Sequence, residues 1–527
     1  MSTATAAAAD AGASPRSLGE GRKLAIFLIM SVGMFMALLD IQIVAASMNS
    51  IQAGLSAAQD EIDWLQTSYL MAEIVMIPLS AYLCEALSTR WMFVISAGLF
   101  TLSSLLCGVA WDLPSMVVFR AIQGFVGGAM IPMVFATGFA FFDGPKTAMV
   151  TAVLGVISTL APTLGPTVGG WITDSFSWRW LFFINIAPGL LVTVALTMLG
   201  PIDRGEPRLL ARIDWLHAAA LAVSLGGLQY VLEEGPRHQW FEDRTVAAVA
   251  WTALVAGVVF IERCLFSPRP LVKIGVFRRR GFTAACILSF AIGFGLYTIV
   301  YLTPVFLGVV RGYSSLEIGS TVFIVGVFMT ACAPIAAWLA TVIDLRLVML
   351  AGLILYALSF WMVSSITSDW GFWQLFWPQA VRGAAVLFCM VPSVGMAMSN
   401  VPDAELRDAS GLSSLMRNLG GAVGIALVNT WLLDFYRLHL GRLSEGLGGA
   451  PGKAVAAMGQ LARRFAVQGA DPGHVGGMAV AVLGRGVSAQ ALTQAFRDVF
   501  QLTAWLFVAA ILVIPFARGG TMVGDRH

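Results

Sequence analysis

The chain is predicted to be an all-α polytopic membrane protein with fourteen transmembrane helices, and three observations predict it. Mean hydropathy is +0.81, with 58% hydrophobic and only 12% charged residues among 527, far too apolar for an ordinary soluble domain. Uncharged runs of roughly 20 residues, enough to cross a bilayer core about 30 Å thick, recur along the whole chain. Short words of the first half also return in order in the second. "LGPTVGG" at 164–170 is echoed by "LGGAVGI" at 419–425, and Arg120 in "VVFRAIQGFVGGAM" by Arg382 in "PQAVRGAAVLF", at offsets of 255 and 262 residues. Such a repeat predicts two related bundles.

The elements follow from 19-residue hydropathy windows. Residues 1–23 form an Ala/Ser/Gly-rich tail without a signal-peptide pattern, so the first apolar run, 24–47, is read as a retained anchor. Runs at 63–84, 92–111, 115–141, 147–171 and 180–199 complete a first six-helix bundle, 24–199. The seventh and eighth, 216–233 and 244–262, are joined by the outer loop "EEGPRHQWFEDR" and followed by the basic loop "ERCLFSPRPLVKIGVFRRR". With that loop they form an inserted pair and a hinge between halves, 200–281. Runs at 282–309, 316–340, 345–366, 371–398, 413–435 and 499–517 make the second bundle, 282–517, and 518–527 is a tail. Before the last run lies a Gly-rich segment, 436–498, with helical pieces such as "AVAAMGQLARRFAVQ". A connection that long is expected to have a task of its own.

Lys and Arg set the orientation, because they are retained on the cytoplasmic side during insertion. With the N-terminus inside, the inner segments carry eighteen and the short outer loops four, so both termini are expected in the cytoplasm. The net charge of +2 carries no indication of nucleic acid. Five of the six cysteines fall in or at the ends of apolar runs and Cys264 in the short basic loop; no spacing resembles a metal site or a disulfide framework. No nucleophile with its base, phosphate loop or cofactor box is evident, so neither an enzyme nor a cofactor is expected.

Charges inside the membrane cost roughly 2.5 to 3.5 kcal/mol each at the bilayer centre and point to function. Asp40 in the first span and Arg120 in the fourth both sit roughly 8 to 10 Å below the outer surface at 1.5 Å per residue, so an ion pair is allowed. It would serve either to lock two helices or to couple a proton, with protonation of Asp40 releasing Arg120. Glu73 lies at mid-membrane, roughly 15 Å from either end of its span, with no cation at its depth in the first half. Arg382 is the mid-depth cation of the other half. Desolvation disfavours a bare carboxylate at that depth, so Glu73 is expected either to exchange a proton for a cationic substrate or to stay protonated on backbone, Gln66 or Ser80. Arg417 and Asp434, at opposite ends of the thirteenth span, read as interfacial anchors, and Trp361, Trp373 and Trp377 as a membrane-surface belt. Gly165 and Gly169, like Gly124 and Gly128, share a helix face that admits a close backbone. Pro162 and Pro166 bend the fifth span, which is expected at the interface between halves.

Several of these words are similar to a known family. "GVISTLAPTLGPTVGGW" at 155–171 resembles the antiporter signature of the major facilitator superfamily, G-P-x-x-G-G, with Gly165, Pro166, Gly169 and Gly170. "VVFRAIQGFVGG" resembles its R-x-x-Q-G motif at Arg120, Gln123 and Gly124. "LLDIQIVAASM" at 38–48 resembles the first-helix motif of its fourteen-span drug:proton antiporters, and with "RWLFFINIAPG" and the long outer segment the nearest resemblance is to EmrB-type efflux subunits. The turn after the second span departs from G-x-L-A-D-R-x-G-R-R: "AYLCEALSTR" puts Ala81 for the first Gly, Glu85 for Asp and Ser88 for the second Gly, and keeps Arg90. In the family this turn latches the cytoplasmic gate, so Glu85 and Arg90 are its candidates here. The resemblance implies a proton-coupled antiporter in the inner membrane of a bacterium, exporting hydrophobic or amphipathic, including cationic, compounds. It further implies a periplasmic adaptor (a membrane fusion protein) and an outer-membrane channel as partners. Asp40, Glu73 and Arg120 are the candidates for coupling and substrate binding, with Arg382, Gln123 and Arg417 behind them. The alternatives are a dedicated exporter of one metabolite or siderophore, or a non-transporting receptor on the same fold.

Overall fold

Fourteen long helices are described in a computed structural model, which covers residues 19–58, 61–142, 145–200, 202–268, 270–399, 401–402, 405–448, 458–460, 463, 472–517 and 520. The terminal tails of the expected organisation, and much of "AVAAMGQLARRFAVQ", lie outside those residues. The helices are α1 Glu20–Ala46, α2 Trp64–Leu87, α3 Thr89–Gly108, α4 Leu113–Phe141, α5 Pro145–Ser175, α6 Ile186–Met198, α7 Trp215–Glu234, α8 Arg244–Phe266, α9 Arg280–Val305, α10 Ser315–Val342, α11 Leu345–Val363, α12 Phe372–Ser399, α13 Leu406–Gly448 and α14 Pro472–Ala510. Thirteen are long and apolar enough to cross a membrane among the described residues. The remaining expected span, 147–171, lies within α5.

Helix starts follow side-chain chemistry that spares the backbone unpaired N–H groups at a membrane surface. Asp112 and Ser115 form a capping box on α4, and Ser314 and Glu317 one on α10. Asp214, Asp243 and Asp344 cap α7, α8 and α11. Ser88 accepts from the N–H of Trp91 to start α3, at the cost of a φ of 78°.

The packing repeats as the sequence words do. In the first half α2 packs on α4, α1 on α5 and α3 on α6; in the second, α10 packs on α12, α9 on α13 and α11 on α14. Glycines set the closest of these approaches. A Cβ on Gly124 or Gly128 would fall on the backbone of Tyr69 or Glu73 in α2, and one on Gly383 on Val325 in α10. Gly165 and Gly169 abut Gln42 and Ile43 of α1, as Gly420 and Gly424 abut Phe290 and Phe294 of α9. The face carried by "GPTVGG" therefore packs within its own half. The same helix reaches the other half elsewhere, where Thr167 lies against Gly319 of α10.

The halves meet along α5–α10, α5–α12, α2–α13 and α4–α13, and the hydrophobic core continues across that seam. Of the inserted pair, α7 packs on both α2 and α13, while α8 packs chiefly on α7 and presents Trp251, Leu254 and Val258 outward. The helix α8 also takes in Cys264, expected in the loop, which lies buried 3.4 Å from the Nε2 of His217.

The segment 436–498 is largely helix in its described part. Its ends are continuations of α13 and α14, 43 and 39 residues long, or about 65 and 59 Å at 1.5 Å per residue. That is about twice a bilayer core, so the pair projects beyond the membrane. His439 and Asp498 join the two extensions at 2.7 Å, and Arg497 donates to the Ser364 carbonyl beneath them.

Candidate functional site

Two buried polar groups sit inside the helix array, one within the first half and one at the seam. The first is built on Asp40 and Arg120, both fully buried, with Arg120 Nη1 2.5 Å from Asp40 Oδ2. Asp40 lies where α1 passes α4 and α6, so two further donors reach its other oxygen: Asn185 Nδ2 at 2.6 Å and Gln123 Nε2 at 3.2 Å. Gln123 also accepts from Arg120 Nη1 at 2.8 Å and donates to Ser104 of α3 at 2.6 Å. Arg120 Nε donates to the Leu65 carbonyl at 3.4 Å, and the guanidinium lies 4.2 Å from the centroid of the Tyr69 ring. Its Nη2 has no hydrogen-bond partner among the described residues.

The R-x-x-Q spacing accounts for the geometry, since residues three apart share a helix face and both reach α1. Asn185 and Ser104 were not singled out in the sequence. The signal for Asn185 was there, a single amide in the apolar run "LFFINIAPG"; Ser104, one hydroxyl among several, carried none.

The second group surrounds Glu73, which is 4% exposed. Its carboxylate lines a cavity of about 40 Å³ at the seam, with Gln229 and Glu233 of α7, Tyr297 of α9 and Asn418 of α13. No hydrogen bond or ion pair reaches that carboxylate among the described residues. The expected alternative partners are elsewhere: Ser80 donates to the Ile77 carbonyl, as hydroxyls in apolar helices commonly turn to their own backbone, and Gln66 Oε1 is buried without a partner among the described residues. Glu233, read from sequence as part of an outer loop, stands in the last turn of α7 because Asp243 and Gly235 delimit the loop further on.

Arg382 belongs to neither group. It is 1% exposed, lies over the Phe360 ring at 5.6 Å, and lines a separate cavity of about 20 Å³ with Gln379. No acid takes the place in the second half that Asp40 holds in the first, and Arg382 Nε and Nη2 have no partner among the described residues. Arg417 is buried rather than an interfacial anchor. It points across the seam to the Phe135 ring of α4 at 5.1 Å, because α13 begins at Leu406 and places it several turns inside the helix. Asp434 is exposed, as an anchor would be.

At the end of the bundle where the N-terminus lies, Glu85 and Arg90 separate. Glu85 pairs with Lys273 of the basic loop at 3.2 Å, and Lys273 also meets Asp408 of α13 at 3.5 Å, so the loop clasps both halves. Burial opposes the charge on Lys273, but Asp408 and then Glu85 outweigh it and hold the ammonium above the ordinary lysine value. Arg90 instead donates to the carbonyls of Leu196 and Thr197, closing the end of α6. The place of a second charge is taken by Asp203, which accepts from Thr89 at 2.8 Å and pairs with Arg407 of α13 at 2.6 Å. Ser410 Oγ adds a bond to the Pro132 carbonyl across the seam at 2.7 Å.

On the outer face of the bundle, α5 and α10 leave an open apolar groove of about 460 Å³ near the end where the N-terminus lies, lined by Met149, Val153, Ile157, Pro334, Trp338 and Thr341 among others. No cluster of three or more potential metal ligands occurs among the described residues.

Comparison with known proteins places these features in a family. The model of the Major Facilitator Superfamily matches residues 30–425. The chain is 41% identical over 498 residues to the colistin resistance protein EmrB of Acinetobacter baumannii, covering 94% of this chain and 96% of that protein. It is 28% identical to the multidrug export protein EmrB of Escherichia coli K12, covering 95% and 96%. It is also 28% identical to the fatty acid resistance protein FarB of Neisseria gonorrhoeae, covering 94% and 97%. In fold it is similar to the proton:xylose symporter XylE, with a TM-score of 0.55 at 13% identity and coverage of 96% and 98%. The human organic anion transporter MFSD10 gives 0.54 at 14%, covering 92% and 99%.

Proposed function

We propose a specific task for this chain, which belongs to the Major Facilitator Superfamily and is a multi-pass membrane transporter rather than an enzyme: it exports hydrophobic and amphipathic compounds, cationic ones included, in exchange for protons. The relatives named for resistance to colistin, multiple drugs and fatty acids support export of amphipathic compounds. Proton coupling is supported by one observation above all, the Asp40–Arg120 pair. It is fully buried, and its hydrogen bonds tie α1, α2, α3, α4 and the segment leading into α6 together.

A proton on Asp40 removes the charge that three donors now share. Arg120 loses its counter-ion, and the contacts that hold α1 against α4 and α6 weaken together. A proton moving inward through 100 mV releases about 2.3 kcal/mol, which is comparable to the energy at stake in one such pair. Because Asp40 is sealed from water in this arrangement, the proton reaches it in another one, and alternation between the two is the coupling step. Lipophilic substrate enters from the inner leaflet along the α5–α10 groove, where no polar surface has to be crossed.

The positive-inside bias supports cytoplasmic termini in a bacterial inner membrane. On that orientation the paired extensions of α13 and α14 stand in the periplasm, where an adaptor leading to an outer-membrane channel would dock. Replacing the extensions by a short flexible link should abolish drug resistance in cells while leaving transport by the purified protein in proteoliposomes unchanged. Loss of both, with the protein still folded, refutes the docking role. Proton coupling is tested by Asp40→Asn, developed in the Discussion.

A further inference from the structure

We infer that the inserted helix α7 supplies half of a cation site: Glu233 and Gln229, facing Glu73 across the seam, hold the ammonium group of an amphipathic amine. The inference rests on the reading of this chain as an exporter and names the substrate class of its central cavity.

The cavity lining carries the chemistry. Glu73 and Glu233, the amides Gln229 and Asn418 and the phenol Tyr297 all line it, with Leu70, Ile74, Ala422 and Ile425. Glu73 is more than nine-tenths buried and has no partner among the described residues, so it lines the cavity as an unused acceptor. Among the described residues, the one hydrogen bond to Glu233 comes from the Nε2 of Gln229, at 3.4 Å.

No lysine or arginine lines the cavity among the described residues, and the nearest arginines are engaged by other partners. Arg120 is bound by Asp40, Arg417 lies over Phe135, and Arg237 is paired with Asp63. Glu234 meets Arg237 at 3.9 Å and His238 at 3.6 Å on the outer rim. What the lining lacks is a positive donor with an apolar body. A volume of about 40 Å³ admits an ammonium head group and excludes a whole drug, so the rest of the molecule is accommodated as the halves part.

The loop after α7 fits the same role. It bridges the two halves over the outer end of the cavity, with Arg237 bound to Asp63 at the start of α2 and Trp240 Nε1 donating to Thr430 of α13 at 3.0 Å. Gln239 and Trp240 hold φ values of 54° and 59° in this strap, a conformation that non-glycine residues keep only where the surroundings impose it. An insertion that only filled space would have no reason to place a carboxylate below and a bridge above the seam.

The test uses the full-length protein in nanodiscs, with dodecylamine as the cationic probe and dodecanol as its neutral counterpart, bound in competition with a fluorescent amphiphile. Glu233→Gln is expected to weaken dodecylamine on the order of ten-fold and leave dodecanol unchanged, as the loss of one charge-assisted hydrogen bond requires. Gln229→Glu, made in parallel, is expected to tighten dodecylamine and reports the site even if Glu233→Gln does not accumulate. Unchanged dodecylamine affinity in both variants overturns the inference, as does equal weakening of both probes or no dodecylamine binding by the wild type. Because the readout is binding, it is separate from proton coupling: loss of driven transport in Asp40→Asn with unchanged dodecylamine binding in both cavity variants would keep the exporter and discard the site.

Discussion

The decisive perturbation is Asp40→Asn, an exchange that keeps the size of the side chain and removes its charge. Asp40 offers two oxygens to three donors, from Arg120, Asn185 and Gln123. Asparagine offers one oxygen and turns an NH₂ group toward a donor, so at least one buried N–H loses its acceptor. At the observed 2.5 Å and an effective dielectric constant of about 20, the lost attraction is about 7 kcal/mol. Desolvation already offsets part of that, and breaking a buried pair from one side costs about 3–5 kcal/mol. With an unfolding entropy of about 2.1 cal/mol/K per residue, that corresponds to a melting temperature lower by about 3–5 °C for a chain of this length. The double variant Asp40→Asn/Arg120→Gln should melt higher than the sum of the two singles implies, by about 2 kcal/mol of coupling. In proteoliposomes, Asp40→Asn should fail to accumulate a cationic dye against its gradient under an imposed pH difference, while exchange of dye down its own gradient persists. A variant that melts lower yet accumulates dye like the wild type would reduce the pair to a lock between α1 and α4. A variant with wild-type melting would refute the energetic account as well.

Other consequences concern packing and the inner end. Gly124→Ala places a Cβ on the backbone of Tyr69, which α2 cannot yield without separating from α4, so the monodisperse fraction after purification should collapse, whereas Gly484→Ala, with nothing within 4 Å, should purify as wild type. Ser88→Gly relieves a φ of 78° and should raise stability by about 1 kcal/mol, read as a higher melting temperature; no increase would mean that the Ser88 cap on α3 outweighs the strain. Lys273→Met unfastens the loop from Glu85 and Asp408, and because the pair is partly exposed the effect should be about 1 kcal/mol, or about five-fold in the inner-open population. A cysteine introduced at the buried Thr137 should then react correspondingly faster with a maleimide applied from the inner side. Since the Lys273 ammonium is held above its ordinary value, the lysine stays charged at every pH below about 10.4, so on the alkaline side the clasp is lost only past the raised value, while on the acid side it weakens as its carboxylate partners protonate. Labelling between pH 6 and 9 should therefore not change through this residue.

The fold was legible because lipid leaves so few options. A backbone that must satisfy itself within each crossing forms helices, and hydropathy alone then locates them. Each expected run overlaps an observed helix, and the repeated words proved to mark repeated contacts, with glycines of α5 and α13 meeting α1 and α9 in the same way. Hydropathy misjudged the segment 436–498, because a helix that leaves the membrane no longer needs apolar residues, and the continuation through "DFYRLHLGRLSEG" looks like a loop once lipid stops selecting its composition. Of the two candidates at the turn, Glu85 reaches Lys273, whereas Arg90 closes the end of α6. The turn kept one basic residue of the family pattern, but the opposing charges arrive from Asp203, Lys273 and Arg407, residues far away in the chain.

What could be read of the site divides along the same physical line. Asp40 and Arg120 were recoverable because an intramembrane ion is costly alone, and a partner at equal depth on another helix answers that cost; depth can be counted along a sequence, whereas Gln123 came only with the R-x-x-Q-G resemblance. Glu73 was recoverable as a problem but not as a solution, since its surroundings come from four different helices and none of them offers a cation. Glu233 was missed because its depth is ambiguous. One residue from the end of α7, it counts as surface by position, yet it lines the seam because α7 lies between α2 and α13 rather than outside them. The packing of an inserted helix is a fact about neighbours, which composition and spacing do not encode. Here it decides whether a carboxylate faces water or the seam.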